Sequence, residues 1–173
     1  MPTNEEQIHF EPLTKETFPM LREWLSQPNV RQWWGEPEHE LRLMEYFLTS
    51  DTDHGFIAHL GKEPVAYIQN WTPRDYIDDE PWAFDLPQQT IAIDLFMGPD
   101  KSGKGLGPLV IKSFCAKLFS ENATYLVIDP DASNTRAISA YSKAGFKPLR
   151  EYRTDDGIAY IMDLTKIRFQ RNS

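Results

Sequence analysis

The stretch Met97–Phe114, MGPDKSGKGLGPLVIKSF, decides how the chain is read. From Gly98 it runs G-P-D-K-S-G-K-G, one residue away from the triphosphate-binding loop G-x-x-x-x-G-K-[ST]. The residue after Lys104 is Gly105, which has no hydroxyl with which to hold magnesium. A dinucleotide-binding reading fails too, because G-x-G-x-x-G does not occur and no strand–helix–strand unit surrounds the segment. What remains is a junction between an apolar strand and an apolar helix, where Gly103, Gly105 and Gly107 alternate. Bare backbone lets a ligand come close. A helix N-terminus offers unpaired N–H groups and the positive end of a dipole to an anion, and Lys104 adds charge. Residues Gly103, Lys104, Gly105, Leu106 and Gly107 therefore read either as a metal-free cradle for a pyrophosphate or as a flexible turn ahead of a helix.

Outward from this junction, QIHFEPL (7–13) alternates weakly and reads as a strand, GFIAHLG (55–61), KEPVAYIQNW (62–71) and QQTIAIDLFMG (88–98) read as strands, and ATYLVID (123–129) reads as a strand of the buried type. A closing hairpin, FKPLREYRT and IAYIMDL, turns around Asp155-Asp156-Gly157. Helices are predicted over 14–27, with Thr14 as N-cap and Leu21, Trp24 and Leu25 on the apolar face, and over 38–50, 107–120 and 134–145. NVRQWWGEP (29–37) reads as a break between the first two. The segment TPRDYIDDEPWAFDLP (72–87) is too polar and too Pro-broken to be core, and a loop of that length is often functional. The order β-α-α-β-β-β-α-β-α-β-β is neither doubly wound α/β nor a four-helix bundle. It predicts a mixed sheet with helices on both faces, an α+β arrangement.

The 173 residues suit one domain, residues 1–173, with a full core. No run is apolar enough for a membrane span, and the polar, acidic start MPTNEEQIHF is unlike a targeting peptide. One cysteine, Cys115, rules out a disulfide framework within the chain and reads as a small packing residue in a cytoplasmic protein. A net charge of −8 argues against nucleic acid and favours cationic small molecules as partners.

Asn134, Ala137, Tyr141, Lys143, Gly145 and Phe146 make an N-x-x-A-x-x-x-Y-x-K-x-G-F pattern. With the glycine junction in the right order and spacing before it, the chain resembles the GNAT superfamily of acetyl-CoA-dependent N-acetyltransferases. The superfamily's cofactor motif, [QR]-x-x-G-x-[GA], corresponds to Ser102–Gly107, with Ser102 departing from the usual Gln or Arg. REWLSQPNVRQWWG, YIQNW, IDLFM and DPDASNTRAISAYSKAGF extend the likeness, which is to the aminoglycoside 6'-N-acetyltransferases. The resemblance implies a three-layer α/β/α fold whose central, mostly antiparallel mixed sheet splays at the acetyl-CoA cleft. It also implies pantetheine lying along IAIDLFM, paired with the backbone of Leu95 and Met97. A main-chain N–H near Phe96 or Met97 would polarise the thioester, and Asn134 would touch the cofactor. Asn134 reads equally as a helix N-cap, in competition with Ser133. Monomer or homodimer stays open, and no step calls for a metal.

Acetyl transfer to an amine needs a base for the ammonium and a proton for the leaving thiolate. Asp94 interrupts an apolar strand, where a carboxylate is costly without a partner or a task. It reads as the group that binds the target ammonium and accepts its proton, or as a satisfied buried acid. Tyr141 reads as general acid or as a packed ring. Asp129, after the next strand, reads as a second substrate carboxylate or as a turn cap. The acidic loop holds Asp75, Asp78, Asp79, Glu80 and Asp85 among Tyr76, Trp82 and Phe84. Carboxylates with exposed rings suit a sugar-like polycation. Asp79 and Trp82 are the loop's expected contacts, with Trp33, Trp34, Gln69 and Trp71 as further walls of the substrate site and Trp24 left to the core. Other readings are an acetyltransferase for a polyamine, siderophore precursor or peptide N-terminus, and a non-catalytic acyl-CoA sensor.

Overall fold

The structure, a computed structural model, describes residues 7–172. The reading of the first residues as a non-targeting segment lies outside them. Within the described residues seven strands form one mixed sheet in the order β1-β2-β3-β4-β5-β7-β6, accompanied by six α-helices. The chain groups into two compact units, one built from the chain up to Asn70 with Leu95–Val110, the other from Trp71–Asp94 with the chain from Ile111 on.

In the first unit, β1 (Ile8–Pro12) pairs antiparallel with β2 (His54–Leu60), and β2 with β3 (Glu63–Trp71) through a turn at Gly61–Lys62. Helix α1 (Phe18–Leu25) buries Leu21, Trp24 and Leu25, spaced for one face. It starts later than Thr14 suggested. Lys15–Thr17 form a 3-10 turn, Thr14 makes no side-chain cap, and α1 opens with Pro19 in its first turn. The predicted break at 29–37 is corrected to a helix, α2 (Pro28–Trp34). Pro28 at its first position needs no N–H partner, and Gly35 ends it at φ +94°. Helix α3 (Pro37–Phe47) adds Leu41 and Met44. These residues pack with Leu13, Val30, Ile57, Tyr67 and Phe96 into one core, Trp24 among them as expected.

In the second unit the hairpin of β6 (Lys147–Thr154) and β7 (Gly157–Thr165) turns at Asp155–Asp156, and β7 pairs with β5 (Tyr125–Ile128). Helix α5 (Thr135–Lys143) follows β5. A short α6 (Lys166–Arg171), unforeseen in the sequence, is capped by Thr165, whose Oγ1 accepts from the Arg168 N–H at 3.1 Å. The loop 72–87 is also corrected. Two 3-10 turns, Pro73–Tyr76 and Pro81–Ala83, tuck Trp82, Ala83 and Leu86 against Ala92, Val127 and Ile161 as a second core. Arg74 donates to the Phe84 carbonyl and Arg150 pairs with Asp85, so the loop is tied down despite its polarity.

Strand β4 (Ile91–Met97) pairs parallel with β5 at only Ile91↔Leu126 and Ala92↔Val127, after which the two strands part. The glycine junction follows β4 and leads into α4 (Leu106–Ser120), so β4-α4-β5 is a parallel strand–helix–strand unit, a correction to the sequence reading that none surrounds the junction; the dinucleotide reading still fails for want of G-x-G-x-x-G. Cys115 in that helix is fully buried.

Candidate functional site

The parting of β4 and β5 sets the acids. Side chains two apart on a strand share a face. The last pair is Ala92↔Val127, so Asp94 and Asp129, each two residues further, emerge on one side where the backbone ladder has ended. The expected cost of Asp94 is met by a partner, because Trp71 Nε1–H donates to its Oδ2 at 2.6 Å. A second indole–carboxylate pair repeats the device. Trp82 Nε1–H donates to Glu80 Oε2 at 2.6 Å, and the two indoles meet edge-to-face at 6.4 Å, with Tyr76 edge-on to Trp71 at 5.8 Å.

These carboxylates feel one another. Burial raises the pKa of Asp129 well above the usual carboxylate range, and the charges of Asp94 and Glu80 raise it further. Glu80 is raised by burial first; the Trp82 hydrogen bond opposes this, while Asp94 and Asp79 add to it. Tyr141, 7% exposed, is raised by burial and then by Asp94 and Asp129. Asp94, Asp129 and Glu80 thus form one cluster of mutually repelling acids with the neutral Tyr141 phenol beside it, a crowding that an ammonium group relieves.

Glu80 is the member that sequence reasoning missed. It was one of five loop acids, and what singles it out is its hydrogen bond to Trp82, two residues on, which the fold buries. Trp82 itself is a correction: at 2% exposed it presents no ring to solvent and instead holds Glu80. Of the three loop aromatics, Phe84 alone is largely exposed, at 63%, and Arg150 lies over its ring at 6.0 Å. Asp79 is exposed next to Glu80, whereas Asp85 is taken up by Arg150. Asn134 is the N-cap of α5, its Oδ1 accepting from the Ala137 N–H at 3.2 Å, while Ser133 bonds to Asp131. The cap uses the carbonyl end of the Asn134 amide and leaves the N–H₂ end out of that bond.

In the first unit, Trp34 is a partly buried ring packed on the core, edge-on to Phe96 at 4.9 Å and to Tyr67 at 6.2 Å. Its neighbour Trp33 stays 39% exposed. Gln69 Oε1 accepts from the Tyr67 hydroxyl at 2.8 Å. β4 ends in a turn in which the Gly98 N–H donates to the Val65 carbonyl at 2.8 Å and the Lys101 N–H to Gly98 at 3.1 Å. Gly103 and Gly105 both take φ +76°, a region that glycine alone enters freely. A Cβ built on Gly105 would meet nothing within 4 Å, so its backbone is bare and open. Lys104 is exposed beside it, and α4 begins at the next residue, Leu106. This junction fits an anionic group: a helix start, whose first N–H groups have no partner within the helix, open space at Gly105, and a cation alongside.

The sequence profile of the acetyltransferase (GNAT) domain matches residues 14–154, most of the chain. The chain belongs to the GNAT acetyltransferases. This GNAT chain is 32% identical over 168 residues to aminoglycoside N(6')-acetyltransferase type 1 of Klebsiella pneumoniae, covering 92% of the chain and 83% of that relative. Its structure is similar to that of AAC(6')-Ib in complex with paromomycin and acetyl-CoA, with a TM-score of 0.85, 28% identity and 95% and 97% of the two chains covered. A spermidine N-acetyltransferase from Vibrio cholerae, at 12% identity and a TM-score of 0.74, shares the fold. Among the described residues, no helix of this GNAT chain is long and apolar enough to cross a membrane.

The raised pKa of Asp129 carries a prediction for stability. An acid whose pKa is raised by folding opposes folding wherever it must ionise. The penalty is absent below its unfolded value of about 3.9 and complete above the folded value. Asp129→Asn therefore raises the melting temperature at neutral pH, and the gain shrinks to nothing as the pH falls to about 3. Thermal unfolding of both proteins across that range checks it.

Proposed function

We propose that this chain is an acetyl-CoA-dependent aminoglycoside 6'-N-acetyltransferase, a single acetyltransferase domain that transfers the acetyl group directly while donor and acceptor are both bound. The observation that carries the reading is the convergence of Asp94, Asp129 and Glu80, in a chain that resembles enzymes named for this activity over nearly its whole length. A polycationic amino sugar meets the excess negative charge of that cluster. Acetylating one of its amines removes an ammonium that such a molecule uses to bind nucleic-acid phosphates.

Acetyl-CoA supplies an activated acetyl thioester. The backbone of Gly103, Gly105, Leu106 and Gly107, with Lys104, holds the pyrophosphate end. The backbone of Leu95 and Met97 lines the pantetheine arm, and a main-chain N–H near Phe96 or Met97 steadies charge on the acetyl oxygen. Asn134 contributes its amide N–H₂ while its carbonyl caps α5. Asp94 binds the target ammonium and takes its proton, held in position by the Trp71 indole. Asp129, Glu80 and the exposed Asp79 bind further ammonium groups, and Gln69 and Trp33 complete the substrate contacts. The Tyr141 hydroxyl donates a proton to the departing sulfur. Direct transfer agrees with Cys115, a thiol that burial keeps protonated and out of contact with any acceptor. With a net charge of −8, neither nucleic acid nor an anionic membrane surface is a partner, and the enzyme works in the cytoplasm as a monomer or homodimer.

The test is to follow free thiol release from acetyl-CoA with kanamycin-type drugs, their 6'-hydroxyl analogues, spermidine and peptides. The acetylated nitrogen is then located by NMR. Turnover with 6'-amino drugs and none with the 6'-hydroxyl analogues is expected. No turnover with any aminoglycoside overturns the reading, and turnover with spermidine alone makes it a polyamine enzyme. The cradle has its own test. Gly105→Val forces a branched side chain into a left-handed backbone position, a strain of about 1–3 kcal/mol, and fills the open space. It raises the KM for acetyl-CoA by about tenfold or more and leaves the KM for the aminoglycoside close to wild type, as uniform loss of one ligand's binding requires.

A further inference from the structure

His9, Glu11 and His59 form a cluster that the acetyl-transfer chemistry does not use. His9 stands directly opposite His59 across the β1–β2 pair. Glu11, two residues along β1, lies on the same face as His9. The two imidazoles stack with centroids 5.1 Å apart and planes at 14°. The Glu11 carboxylate reaches both rings, Oε1 at 3.7 Å from His9 Nε2 and Oε2 at 3.8 Å from His59 Nε2. One donor atom from each residue lies within 4.8 Å of the others.

The donor set selects an ion. Two imidazoles and one carboxylate suit zinc and its neighbours, while magnesium and calcium want oxygen ligands throughout. The orientation is also prepared. His59 Nδ1 lies 3.3 Å from the Ile57 carbonyl, which only accepts, so in that contact the hydrogen sits on Nδ1. The lone pair of the neutral ring is then on Nε2, the atom that faces Glu11, an arrangement typical of metal-bound histidine. The register of β2 against β3 shifts between Ala58 and His59, and a bulge of this kind re-aims the side chain that follows it. Ligands 2.0–2.1 Å from a tetrahedral ion sit about 3.4 Å apart. The carboxylate–imidazole spacings here are only a few tenths of an ångström wider, and the two imidazoles, stacked and with donor atoms within 4.8 Å, bring their in-plane lone pairs to one ion when the exposed His9 ring turns out of the stack.

We propose that His9, Glu11 and His59 bind one zinc-class divalent ion, with water in the fourth position, and that the ion clamps the edge strand β1 to β2. The inference does not depend on the substrate of the transferase.

Zinc titration of the full-length, untagged, metal-stripped protein by calorimetry tests this, together with thermal unfolding with and without zinc. One zinc per chain and a rise in melting temperature are expected, with no rise for magnesium. Cobalt should give the intense visible bands of a four-coordinate site. Glu11→Gln and His9→Ala each weaken zinc binding by about tenfold or more and abolish the thermal shift. Both side chains are largely exposed, so their metal-free melting temperatures stay at the wild-type value. His39→Ala and His54→Ala, which remove the other two histidines of the chain, leave the affinity unchanged. Absence of saturable one-to-one binding at millimolar zinc overturns the proposal. So does a His9→Ala/Glu11→Gln protein that binds zinc as tightly as wild type.

Discussion

Asp94→Asn is expected to lower kcat/KM for a 6'-amino aminoglycoside by about 10²–10⁴-fold, the range associated with a positioned general base. The substitution keeps the shape of the side chain and an oxygen able to accept the Trp71 indole N–H, so the 2.6 Å contact survives in altered strength. On the proposed role of Asp94, what is lost is the negative charge that holds the ammonium and the site that receives its proton. Removing one of three interacting carboxylates also relieves Asp129 and Glu80, whose pKa values Asp94 helps to raise. Stability at neutral pH is therefore maintained or increased while activity falls, which separates a lost function from a lost fold. Steady-state kinetics beside thermal unfolding checks this. Turnover at the wild-type rate in the Asn variant removes the assignment of Asp94 as base.

Tyr141→Phe is expected to lower kcat by about 10²–10³-fold with little change in either KM. The hydroxyl is buried, and burial, then Asp94, then Asp129 push its pKa above the ordinary value of about 10. The phenol therefore stays protonated at every pH at which the enzyme works, as a proton donor must. The same carboxylate charges make it reluctant to give that proton up. An ammonium bound at Asp94 and Asp129 offsets them and lowers the phenol pKa, so donation is favoured once the amine is in place. Two consequences follow. The wild-type rate shows no alkaline loss from Tyr141 below about pH 10. The Phe variant recovers part of its rate with an acyl donor whose thiol is more acidic and needs no proton to leave. A fully active Tyr141→Phe enzyme reduces Tyr141 to a packed ring, edge-on to Phe146 at 6.3 Å.

Much of the architecture was legible because local patterns and tertiary context agree. The strands are short apolar runs bounded by turn residues, α1 and α3 carry apolar stripes, and the glycine junction stands where strand turns to helix. Misreadings fell where a local signal had two outcomes. Pro28 and Gly35 bracket NVRQWW as readily for a short helix as for a break. In the loop 72–87, five acids hid the fact that Trp82, Ala83 and Leu86 bury against Val127 and Ile161, residues far away in sequence. Polarity averaged over a segment does not report where its few apolar side chains go.

The sequence by itself determined the acetyltransferase family, the place of the glycine junction between strand and helix and the unusual placement of Asp94, because each depends on residue type at fixed spacing. Tertiary structure alone decided which acids act together. Ladder pairing between β4 and β5 stops at Ala92↔Val127, so Asp94 and Asp129 come out on one side of the opening. A buried indole two residues further along the loop then selects Glu80 from its neighbours. Burial and mutual repulsion arise only when these groups are brought together in space, and they convert separate carboxylates into a site that favours a cation.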